Sequence, residues 1–93
     1  MNNPWMKAAE EYVWGADILM TMGRYAQALL LAAHSYDLCT KARRGDFSKE
    51  PLKYAPEEWI QLLFPEGDQT PEDLVTEDKA LEALERAKRC LGL

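Results

Sequence analysis

Apolar and small residues recur at three- and four-residue steps along most of this chain, the spacing of one face of an α-helix. A first run carries Trp5, Ala9, Tyr12, Ala16, Leu19 and Met20; a second carries Tyr25, Ala28, Leu29, Ala32, Tyr36 and Cys39. Between them stands only Met22-Gly23-Arg24-Tyr25. So short a link forces the flanking helices into an antiparallel hairpin. Gly23 can take the positive φ that ends the first helix. The pattern predicts a first helix from about Pro4 to Met22, with Asn3 as cap and Pro4 where no amide hydrogen is needed. A second is predicted from about Tyr25 to Arg43. Lys41, Arg43 and Arg44 lie near the negative end of its dipole, and Gly45 closes it.

The second helix is apolar on more than one side, since Ala26, Leu30 and Ala33 add to its stripe. It is therefore predicted to be central, with the rest of the chain or a second copy as its other wall. Residues 46–56 read as a connection punctuated by Asp46, Ser48, Pro51 and Pro56. A short helix follows, with Pro56 at its first position and Trp59, Leu62 and Leu63 pointing inward. Residues 65–69 form a turn, and Thr70 caps a helical turn over 71–75. A final helix from about Glu77 to Leu91 buries Ala80, Leu81, Leu84, Ala87, Cys90 and Leu91, and Gly92 ends it. No segment alternates with period two. The prediction is an all-α, up-and-down helical bundle of about four helices, one domain over residues 1–93.

Charge narrows the function classes. The net charge is −5, and it is unevenly placed: residues 1–45 carry five basic and four acidic side chains, residues 46–93 six basic and twelve acidic. An acidic second half argues against broad adhesion to nucleic acid or an anionic membrane. No apolar run approaches the ~18 residues of a membrane span, and the start lacks a basic segment followed by an apolar one, so a cytoplasmic protein is expected. Cys39 and Cys90 lie on different predicted helices without a nearby Cys or His. The expectation is two buried free thiols, with neither a zinc site nor a disulfide.

Motifs that carry chemistry are sparse. There is no phosphate-binding glycine loop, no paired-His pattern and no nucleophile with a visible partner. The acidic residues Glu66, Asp68, Glu72, Asp73, Glu77 and Asp78 lack the layout of a calcium loop and mostly occupy helix starts, where carboxylates are favourable. His34, the one histidine, sits in the middle of the second helix and reads as a packing or surface residue, with a ligand or base as the alternative. The three Trp and four Tyr have the spacing of core filling, with base stacking as the alternative. Lys41, Arg43 and Arg44, with Lys49 and Lys53, form the one basic neighbourhood. It can meet phosphate or serve as a solvated helix end.

The stretch from Ala8 to Ala42 resembles the first two helices of HEPN domains, small helical bundles found beside minimal nucleotidyltransferases and in toxin-antitoxin pairs. The matching residues are Ala16-Asp17, Gly23-Arg24-Tyr25-Ala26-Gln27-Ala28, and His34-Ser35-Tyr36-Asp37-Leu38-Cys39-Thr40-Lys41-Ala42. In the family the last segment usually reads Gln-x-x-Glu-Lys-x-x-Lys-Ala, so His34 stands for the Gln, Asp37 for the Glu, and Leu38 replaces a Lys. Leu63-Phe64-Pro65-Glu66 and Thr76-Glu77-Asp78-Lys79-Ala80 resemble the closing segment, over a shorter middle. Ribonuclease members carry an Arg, four to six residues, then a His. No His follows Arg43, Arg44 or Arg86 here, and none of the arginines stands at that distance before His34.

The resemblance therefore implies the fold and a non-catalytic binding role, with a nucleotidyltransferase-type partner or a nucleotide, no cofactor, and no RNA cleavage. Asp37, Lys41, Arg43 and Arg44, with His34, are the expected ligand-facing residues. A homodimer is expected from the apolar surplus of the first two helices. A second resemblance, Gly23-x-Tyr25-x-x-Ala28, is to the turn of a tetratricopeptide hairpin, which would imply a structural adaptor acting through protein association alone. That pattern does not recur one ~34-residue period later.

Overall fold

The computed structural model describes residues 3–93; Met1 and Asn2, part of the start read above for targeting, lie outside the described residues. Five helices follow in order: α1 Pro4–Thr21, α2 Tyr25–Arg44, α3 Glu57–Leu62, α4 Pro71–Leu74 and α5 Glu77–Leu91. The described residues form an all-α bundle. Its one strand-like feature is an isolated bridge between Glu66 and Gln69 in the turn before α4.

Local chemistry sets the helix ends. The Asn3 side chain accepts from the Trp5 amide at 2.9 Å, and Pro4 occupies the first turn of α1. Gly23, with φ 71°, lets the Arg24 amide fold back to the Leu19 carbonyl at 2.9 Å. Gly45 does the same for α2, so that the Asp46 amide reaches the Lys41 carbonyl. Thr70 and Asp73 cap α4 reciprocally, and Thr76 caps α5. Pro56 is the cap of α3, one place before the first helical position predicted for it.

α2 is the central helix. It packs along α1 on one side and α5 on another, with α3 and α4 closing the bundle. The seams are built from small residues: Ala9, Ala16, Ala28, Ala32, Ala33, Ala80, Ala83 and Ala87 are all fully buried. Such side chains allow close approach of helix axes. Ser35 fits the same seam, its hydroxyl donating to the Ala9 carbonyl at 2.7 Å. Trp59, Leu29 and Val13 are the largest fully buried apolar groups. Because the seam at Ala32 is already filled, Ala32→Leu is expected to destabilise the fold by about 1–3 kcal/mol through overpacking. A urea midpoint equal to wild type would show instead that the seam yields.

Three expectations are corrected. On α1, Val13 is buried and Tyr12 is partly exposed, because Ala9, Val13 and Ala16 define the inward line and residue 12 lies about 65° off it, at the edge of the stripe. The Tyr12 ring instead stacks on His34, with centroids 5.5 Å apart. On α5, Leu81 is exposed and Ala83 buried for the same reason. The third correction is the largest: Cys39 and Cys90 form a disulfide across α2 and α5, with Cα atoms 6.3 Å apart. Spacing along the chain, 51 residues, carries no trace of this pairing, which exists because α5 docks on α2.

Candidate functional site

The 46–56 connection folds back over α2, and a buried ion pair holds it there. Asp37 and Lys41, one helical turn apart, are each about 2% exposed and meet at 2.9 Å. Neither spends its remaining hydrogen-bonding capacity on solvent. Asp37 Oδ1 accepts from the Tyr54 amide at 2.8 Å, and Lys41 Nζ donates to the Glu50 carbonyl at 2.5 Å. Two buried charges thus stand in for the backbone partners that a non-helical segment lacks.

Asp46 organises the same segment from outside. Its carboxylate accepts from Lys53 Nζ at 2.7 Å, from the Tyr54 hydroxyl at 2.6 Å and from the Ser48 amide at 3.1 Å. These bonds, led by that from Lys53, hold the Asp46 carboxyl far below the usual carboxylate range. The bond to Asp46 likewise raises the Tyr54 phenol. Leu52 adopts a left-handed φ of 54° while its side chain packs against the core, a conformation that the anchored ends of the segment impose.

Between this connection, the first turn of α1 and the middle of α2 lies a cleft of about 280 Å³, lined by Trp5, His34, Asp37, Leu38, Lys41, Ser48, Lys49 and Pro51. His34 is half-buried against Tyr12. Burial lowers its pKa from 6.5, the Asp37 charge opposing this and the Lys41 charge adding to it, so the imidazole is neutral at pH 7. The Ser48 hydroxyl is buried without a hydrogen-bond partner.

The five residues expected to face a ligand therefore divide. His34, Asp37 and Lys41 line the cleft, whereas the Arg43 guanidinium donates to the Cys90 carbonyl and Arg44 lies over the Tyr54 ring at 4.9 Å. Lys41 is a buried strut and Lys53 pairs with Asp46, so the basic neighbourhood is not one phosphate-facing patch. The reason is that a helix end and its following loop offer carbonyls, a carboxylate and a ring closer than any ligand. Trp5, Ser48 and Pro51 were not foreseen as cleft residues. A serine and a proline in a connection carry no signal of their own, and Trp5 had the spacing of a core residue.

A second surface is geometrically distinct. Trp14, Ile18 and Met22, at four-residue steps, are 58%, 61% and 65% exposed on the side of α1 opposite Ala9, Val13 and Ala16. Among the described residues no group of His, Cys, Asp and Glu could hold a metal ion, and no helix is long and apolar enough to cross a membrane. No protein-family model, curated protein or solved structure matches the chain.

Proposed function

We propose that this chain is a non-catalytic helical binding module, HEPN-like in its α1–α2 hairpin, and that it acts by protein association through the outer face of α1. The observation that carries this reading is the exposed line of Trp14, Ile18 and Met22, an apolar ridge on a helix whose opposite face already fills the core. The first occupant is a second copy of the chain, because the face is self-complementary. An antiparallel pairing about a two-fold axis at Ile18 sets Ile18 against its own copy and Trp14 of each copy opposite Met22 of the other. The same register carries Glu11, exposed at one end of the ridge, to Arg24, exposed at the other. Arg24 contacts Gln27 only through Nε, at 3.4 Å, which leaves its terminal nitrogens for such a pair.

Other parts of the HEPN resemblance extend this proposal. A nucleotidyltransferase-type partner would use the same apolar ridge, and cytoplasmic residence would set the Cys39–Cys90 pair in a reducing medium. A nucleotide held by Lys41, Arg43 and Arg44 together has less support, since all three are engaged within the fold. The lack of an arginine at the ribonuclease spacing before His34 supports a binding role over RNA cleavage.

Light scattering at about 100 µM is expected to give about twice the 10.6 kDa of one chain, and Ile18→Glu to return the mass to one chain by burying charge at the two-fold axis. Charge reversal at both Glu11→Arg and Arg24→Glu should keep the dimer where either alone weakens it. A native chain that stays at the monomer mass, or a dimer indifferent to Ile18→Glu, would overturn the self-pairing.

A further inference from the structure

The cleft at His34 differs from the rest of the molecule in how its polar groups are satisfied. Asp37 and Lys41 are fully buried and paired, and the Lys41 ammonium also donates to the Glu50 carbonyl, so a positive charge lies just behind the cleft wall. In the same lining the buried Ser48 hydroxyl makes no hydrogen bond of full geometry, only a weak approach to the Asp46 carboxylate. A buried hydroxyl without a full hydrogen bond is destabilising, so an arriving acceptor is favoured at that point. Lys49 adds a second cation to the lining, while Asp37 is already occupied, its Oδ1 accepting from the Tyr54 amide and its Oδ2 paired with the Lys41 charge. Free donors therefore outnumber free acceptors, and the charged lining is two lysines against one aspartate. The remaining wall is apolar and flat: the Trp5 ring, backed by Phe47 at 5.3 Å between centroids, with Leu38 and Pro51.

We propose that this cleft binds a small oxyanion carried on a flat apolar body, an aromatic carboxylate or phosphate monoester. Ser48 and Lys49 take the oxyanion, the buried Lys41 charge favours it from behind the wall, and Trp5, Leu38 and Pro51 enclose the body. A volume of about 280 Å³ admits one ring with its acid group and is below that of most sites for larger ligands. Because Lys41 and Asp37 are held by the loop backbone, the donors are oriented before the ligand arrives, which limits the ordering cost of binding. This site does not depend on the α1 ridge and stands or falls separately from dimer formation.

Phenyl phosphate and benzoate are the probes, titrated into the full chain while amide and indole resonances are followed. Saturable shifts confined to Trp5, His34, Ser48 and Lys49 are expected for at least one probe, and the stronger of the two identifies the acid group. Lys49→Ala, at an exposed side chain that the fold does not need, should weaken binding about tenfold, and Ser48→Ala about fivefold, as loss of a charged and of a neutral donor predicts. Phenol and inorganic phosphate should each bind more weakly than phenyl phosphate, since each fills half of the cleft. No saturation by either probe at ~10 mM would overturn the proposal, as would binding indifferent to Lys49→Ala and Ser48→Ala alike.

Discussion

Removing the Cys39–Cys90 bond, by reductant or as the Cys39→Ala/Cys90→Ala double variant, is expected to destabilise the fold by about 4 kcal/mol and to lower Tm by more than about 15 °C. The magnitude follows from the loop it closes: a separation of 51 residues removes that much chain entropy from the unfolded state. It weighs heavily here because a domain of this size has only about 5–15 kcal/mol in total. The buried seams are moreover made largely of alanine, whose methyl removes little area from water. Thermal melts with and without reductant test this directly. The double variant and the reduced native chain should coincide, since in both cases α5 is held to α2 by packing, by the Arg43 bond to the Cys90 carbonyl and by Arg86 at the Tyr36 hydroxyl and ring. A Tm moved by less than about 3 °C would mean that helix packing alone holds α5 in place.

Asp37→Ala should cost about 3–5 kcal/mol, because it strands the Lys41 ammonium in a site about 2% exposed and leaves the Tyr54 amide without its acceptor. The pair itself need not be a net stabiliser. Two charges taken from water recover their desolvation cost only through each other and through the two backbone groups they bind. The informative variant is therefore Asp37→Ala with Lys41→Met, which removes both charges and keeps the lysine stem's volume. It should be markedly more stable than Asp37→Ala alone, and the difference in a double-mutant cycle measures the coupling. If Asp37→Ala alone costs less than about 1 kcal/mol, the lysine has reached solvent and the 46–56 connection is not clamped as described. Such a result would also loosen the proposed oxyanion cleft, whose donors depend on that clamp.

Most of the helical architecture was legible along the chain. Asn3-Pro4, Gly23, Gly45, Thr76 and Gly92 mark helix ends through backbone chemistry that acts within four residues. The structure therefore places α5 on the predicted bounds and the other helices within a residue or two. The centrality of α2 was equally readable, since apolar residues on more than one face require packing on more than one side, although Leu30, counted in that surplus, is exposed. At the site, His34, Asp37 and Lys41 were singled out through the HEPN resemblance together with Arg43 and Arg44, and only these three line the cleft. Tyr12 and Leu81 were misplaced because neighbouring positions at the edge of a stripe differ by a rotation that only the partner helix decides.

What the sequence by itself determined is thus the set of helices, their caps and the hairpin, all consequences of short-range geometry. Tertiary structure alone decided that Cys39 meets Cys90, that Arg43 turns to the Cys90 carbonyl rather than to a phosphate, and that Asp37 and Lys41 are buried struts under a returning loop. Each of these joins residues 9 to 51 positions apart along the chain, or depends on a segment with no period of its own. A side chain's partner is set by what the folded backbone brings within about 3 Å, and that distance is fixed by packing between elements, which local propensity does not encode.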